Sequence, residues 1–138
     1  EETPGLNNNS TSTMKTVLII SMLLAVSLAG KRREEIKEAV RSCGGDAGGS
    51  DDLRKHVTDE NVDQAALGAK IFCVNKKIGL QNDHGNIDES VFRKDLKAVV
   101  GDEAKVNEIV AECGKRKGDT PEAAAFNFLK CYEKNVPK

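Results

Sequence analysis

The sequence predicts an all-α fold, a compact bundle of about six helices pinned by two disulfides. Three observations lead there. Apolar residues recur at helical spacing in segment after segment. No stretch alternates apolar and polar residues with β-branched side chains over several positions. Four cysteines, an even number, fall on or beside the apolar stripes.

The elements follow in order. Ile36, Ala39, Val40 and Cys43 stand at i, i+3, i+4 and i+7 and predict a first helix that stops at Gly44-Gly45. Gly44 to Gly49 reads as a turn or loop. Ser50 is placed to cap a short second helix through Asp51, Asp52, Leu53 and His56. A third helix is expected from Thr58 or Asp59. It carries the clearest stripe in the chain, Leu67, Ile71, Val74 and Ile78, and ends at Gly79. Gln81 to Asn86 is a polar loop containing Gly85. Asp88 is the expected cap of a fourth helix, with Phe92, Leu96 and Val99 inward. After Gly101, Asp102 caps a fifth helix whose inward face is Val106, Ile109, Val110 and Cys113, ending over Lys115 to Gly118. Thr120-Pro121 opens a sixth, threonine as cap and proline at its first position, with Ala124, Phe128 and Tyr132 on one face.

The N-terminal part reads differently. Residues 1–13 (EETPGLNNNSTST) are polar and precede the first methionine; they are expected to be extra sequence without a role, the sequons at Asn8 and Asn9 included. Residues 14–29 have the anatomy of a signal peptide: Lys15, a short apolar run, then Ser27 and Ala29 in a small-x-small pattern, so cleavage is expected after Ala29. The run is shorter than the ~20 apolar residues of a spanning helix, although Lys31, Arg32 and Arg33 directly after it oppose the usual charge bias. The domain is then 30–138. Losing Glu1, Glu2 and Lys15 takes Lys+Arg from 21 to 20 and Asp+Glu from 22 to 20, so its formal net charge is zero. Such evenly mixed charge excludes the basic excess of a nucleic-acid binder. The aromatics are Phe72, Phe92, Phe126, Phe128 and Tyr132, with no tryptophan. The core must therefore be built from Val, Ile, Leu and Ala.

Export implies an oxidising compartment and hence disulfides. Spacing alone leaves all three pairings of four cysteines open. On the helices above, the simplest pairing is Cys43–Cys73 and Cys113–Cys131, each bond stapling one helix to another and contributing about 3–4 kcal/mol by loop entropy. No CxxC or HxxxH pair exists, so no metal is expected. A calcium loop centred on Gly85 would need acids where Leu80 and Val91 stand. Neither histidine adjoins a cysteine, as a secreted phospholipase requires, and paired cysteines leave no thiol nucleophile. No catalytic residue and no cofactor are expected.

The spacing Cys-x29-Cys-x39-Cys-x17-Cys on an exported helical chain resembles the insect odorant-binding protein family. The strings AKIFCVNKKIGL (69–80), DHGNID (83–88) and FNFLKCYEK (126–134) add to the likeness, which covers 30–138. The family usually has six cysteines, the second and third separated by three residues and the fifth and sixth by eight. Here Ala69 and Glu122 occupy the second and fifth positions. That is the pattern of the four-cysteine "minus-C" subgroup.

The resemblance implies the same pairing, first cysteine with third and fourth with sixth. It also implies an apolar cavity enclosed by the helices and carriage of odorants, pheromones or similar molecules: a volatile alcohol, ester, aldehyde or fatty acid. A monomer or weak dimer in sensillum lymph or another body fluid is implied, with a chemosensory receptor as a further partner. The family's cavity positions fall on Ile36, Val40, Leu53, Leu67, Ile71, Asn75, Leu96, Val106, Val110, Phe128 and Tyr132. Asn75 and the Tyr132 hydroxyl are the candidates for a polar contact. The missing bridge would have joined helices three and six, which implies a more adaptable cavity and a less stable fold. His56 and His84 are expected to be solvated rather than triggers of acid release. The competing function is a secreted helical protein-interaction module with a filled core.

Overall fold

The computed structural model describes residues 29–45 and 49–138. The expectations placed on residues 1–28, and on 46–48 of the glycine-rich loop, lie outside the described residues. By contact the chain divides into residues 1–34 and 35–138. In the first unit the described residues 29–34 are helical; the packing below is that of the second.

Six helices and no strand form among the described residues: α1 (29–42), α2 (Ser50–His56), α3 (Gln64–Lys77), α4 (Glu89–Val99), α5 (Glu103–Cys113) and α6 (Pro121–Asn135). One isolated antiparallel bridge, Gln81 to Ile87, closes the loop between α3 and α4. Four helices start with the same device, an oxygen that accepts an otherwise orphaned backbone N–H. Asp63 accepts from Ala66, Asp88 from Val91, Asp102 from Ala104 and Thr120 from Ala123, at 2.9–3.1 Å.

Three local expectations need correcting. Ser50 is not a cap: Gly49, at φ 64°, holds that position and Ser50 is already helical. Helix α3 begins at Gln64, later than Thr58 or Asp59. The residues between are spent on turns that bury Val57 and let the Asp59 carboxylate accept from Asn61 N–H. Val99 points out, 62% exposed, because the chain turns extended at Val100 and buries that side chain instead.

The disulfides are Cys43–Cys73 and Cys113–Cys131, with Cα separations of 5.9 and 5.7 Å. They tie the end of α1 to α3, and the end of α5 to α6. Helices α3 and α6 share the most extensive helix–helix contact. They meet at Gly68, where a Cβ would lie 2.6 Å from the Glu122 carbonyl oxygen. Exposed Ala69 and half-buried Glu122, the two positions without a cysteine, lie on the same pair of helices.

The interior separates into three clusters. One lies among α4, α5 and α6, with Phe92 and Phe128 edge to face at 4.9 Å between centroids. Another joins Leu67 and Ile71 of α3 to Ala125 and Phe126 of α6, with Val57. A third packs Ala39 and Val40 of α1 on Val74. Half-buried Leu53 touches the last two, and Ile78 touches the first and the third.

Gly68→Ala is expected to cost about 1–3 kcal/mol despite alanine's better helix propensity, since the clash is with backbone. Urea unfolding measures it, and an unchanged midpoint would show that the seam yields freely. Ala69→Cys with Glu122→Cys is expected to form a bond and raise the thermal midpoint; a bond that forms without any gain contradicts the stability expected of the missing bridge.

Candidate functional site

None of the eleven residues placed on a cavity wall is exposed. The structure distributes ten of them over the three clusters, with Asn75 apart. Leu96, Val106, Val110 and Phe128 are buried in the first, with Tyr132 packed against it. Leu67 and Ile71 belong to the second. Val40 belongs to the third with Ile36 at its edge, and Leu53 adjoins both of these. What is brought together is therefore a set of neighbouring apolar patches joined at Leu53 and Ile78.

Asn75 is buried and engaged. Its Nδ2 donates to Gln81 Oε1 at 2.8 Å, and Gln81 Nε2 donates to the Gly85 carbonyl at 2.9 Å. The Asn75 carbonyl accepts from Leu80 and Gln81 N–H. This network fixes the 79–88 loop, whose Gly85 (φ 83°) sits so near Pro121 that a Cβ would be 2.7 Å from its Cα. Leaving one of two buried amides unpaired costs about 1–3 kcal/mol.

At the seam between α2 and α6, Arg54 pairs with Glu133: Nε donates to Oε1, and Nη2 donates to Oε2 at 3.4 Å. The Glu133 side chain is only 9% exposed. The Arg54 guanidinium lies 5.7 Å from the centroid of Tyr132, which in turn leans on Phe128. Sequence reading missed Arg54, Glu133 and Gln81. No local signal marks the ion pair, whose partners are 79 residues apart.

Two open hollows mark the described surface. One of about 440 Å³ lies against Gly79, Gln81, Asn82, Asn86, Ile87 and Asp88. The other, of about 280 Å³, lies along Asp51, Arg54, Lys55, Thr58, Glu133 and Lys138. Neither is lined by the eleven residues above. Both histidines are exposed. Among the described residues no helix is long and apolar enough to cross a membrane, and no group of three or more His, Cys, Asp or Glu side chains is arranged to hold a metal ion.

Disulfide-pinned helices around aliphatic interior patches define the class of a small all-helical, two-disulfide domain. The model of the PBP/GOBP family matches residues 25–135, and the chain belongs to that insect odorant-binding family. The family is one of carriers, generally of odorants and pheromones, and takes small hydrophobic ligands. The chain is 26% identical over 123 residues to the B1 protein of Tenebrio molitor, covering 86% of this chain and 94% of that one. It is 26% identical over 121 residues to the B2 protein of the same organism, covering 85% and 94%. No solved structure matches the chain.

Tyr132 gives this region a spectroscopic handle, because the chain has one tyrosine and no tryptophan. Burial raises its pKa above the usual 10.0; Arg54 opposes the shift, while Glu133 and Asp95 add to it. The folded value exceeds the unfolded one, so the associated stability is present below pH about 10 and is lost as pH rises through the folded midpoint. Phenolate absorbance is expected to titrate above the ordinary value in the native chain and to return to it in denaturant. A native midpoint at the ordinary value would place Tyr132 in open solvent.

Proposed function

We propose that this chain is a secreted carrier that takes a small hydrophobic molecule into the apolar interior lined by Ile36, Val40, Leu53, Leu67, Ile71, Asn75, Leu96, Val106, Val110, Phe128 and Tyr132. The observation that supports it most is the burial or half-burial of all eleven, drawn from all six helices, in a chain of a carrier family.

The physics needs no catalysis. Each CH₂ moved from water into the interior contributes about 0.8 kcal/mol, so a ten-carbon chain supplies about 8 kcal/mol before the costs of ordering the ligand and parting the side chains are subtracted. Room is made by parting clusters rather than by entering a standing void. Helix α2 is the element that moves in this reading. No residue within it is fully buried, its N-cap position is a glycine with no side-chain bond, and its apolar hold is half-buried Leu53 with Val57 at its C-cap. Withdrawing Leu53 merges the second and third clusters into one apolar space. The carrier would work in chemosensory lymph or another body fluid and hand its cargo to a receptor there.

Titrating the oxidised chain with the uncharged fluorescent dye N-phenylnaphthylamine tests the reading. Saturable micromolar binding reversed by decanol is expected. A folded, fully oxidised sample that binds no dye would mean a filled core and a protein-interaction role.

A further inference from the structure

The few polar groups inside this chain are already satisfied, and that constrains which ligand head the interior can accept. Among the described residues the buried polar side chains are Asn75 and Gln81, which bond to each other and to the Gly85 carbonyl. No buried side-chain nitrogen or oxygen there lacks a partner. Two cations lie against aromatic faces bordering the clusters, Lys76 over Phe72 and Arg54 over Tyr132. Both are neutralised. Lys76 pairs with Asp83 at 2.8 Å in an exposed position. Arg54 is held by both oxygens of the largely buried Glu133 carboxylate.

An alkyl carboxylate entering here meets two obstacles. Unpaired, it would carry a desolvated charge into an aliphatic interior, which is strongly unfavourable. To pair with Arg54, whose side chain is 36% exposed on the hollow along α2, it must compete with the Glu133 carboxylate, 9% exposed, that already holds the guanidinium through both oxygens. Asp95 of α4 adds a second acid whose field reaches Tyr132. A neutral head meets neither obstacle, because an alcohol, ester or aldehyde needs one hydrogen bond and brings no charge.

We infer that the interior selects neutral alcohols, esters or aldehydes over alkyl carboxylates of the same length, and that Glu133 sets this preference by occupying Arg54. The inference rests on the carrier reading and narrows it. Glu133 is thus a specificity-determining residue, and Arg54 is a latent carboxylate site that its partner keeps closed.

The test is competition for bound N-phenylnaphthylamine on the oxidised full chain at neutral pH, with decanol against decanoate. In the wild type, decanoate is expected to compete at least about tenfold more weakly, a gap of about 1.4 kcal/mol. In Glu133→Gln, which leaves Arg54 charged and without its carboxylate, the gap is expected to fall to about threefold or less. Adding Arg54→Gln to that variant should reopen it. Equal competition in the wild type overturns the inference, and that comparison stands even if Glu133→Gln fails to fold. So does a gap that stays unchanged in a Glu133→Gln chain shown to be folded by circular dichroism. A wild-type chain that is folded but takes up no dye fails differently: it removes the carrier reading itself.

Discussion

Helices α3 and α6 lie against each other because position 68 carries no side chain. The approach is backbone to backbone, with the Glu122 carbonyl filling the space a Cβ would occupy. The rest of the molecule hangs from this seam. Cys73 of α3 holds the end of α1, and Cys131 of α6 holds the end of α5. Gly85 lets the polar loop close onto Pro121 at the start of α6. A chain short of large aromatics gains its order here from close approach and covalent staples, and the aliphatic residues fill what remains.

The same arrangement divides the molecule by how firmly its parts are held. The α3–α6 frame is crossed by no disulfide, yet it has the most extensive contact, whereas α2 touches the interior with Leu53 and with Val57 at its end, and is otherwise held by Arg54 on Glu133 and Tyr132. In the proposed function, the element that moves is α2. That separation suits a carrier, which needs a stable frame and one element that moves. The ion pair adds chemistry to the same element. It keeps α2 seated and closes Arg54 to anionic heads.

Much of this was legible in the residues. Asp88, Asp102 and Thr120-Pro121 cap their helices as local chemistry requires, because an N-cap acts within three residues and needs no tertiary help. Cysteine spacing carried the family, and the placement of the cysteines on the helices carried the disulfide pairing. The failures have a common cause. Asp59 and Ser50 are acceptable caps by type, but Val57 is drawn into the second cluster and Gly49 takes the left-handed position, so tertiary packing moved both boundaries. Val99 follows the helical period inward, but the helix ends there and the next valine takes its place. Gly68 looks like an ordinary weak helix residue until α6 lies on it. Arg54, Glu133 and Gln81 carry no local signal, since what they pair with is set by the fold and not by neighbouring sequence.

In the proposed function the interior clusters part around Leu53 to admit a neutral apolar molecule. Amide chemical shifts of the isotopically labelled, oxidised chain titrated with decanol test it most directly. The account predicts saturating changes gathered at Leu53, Ile78 and Tyr132 and spreading into Leu67, Ile71 and Val40. Shifts that never saturate, or that are confined to the polar hollow along Gln81 to Asp88, would contradict it.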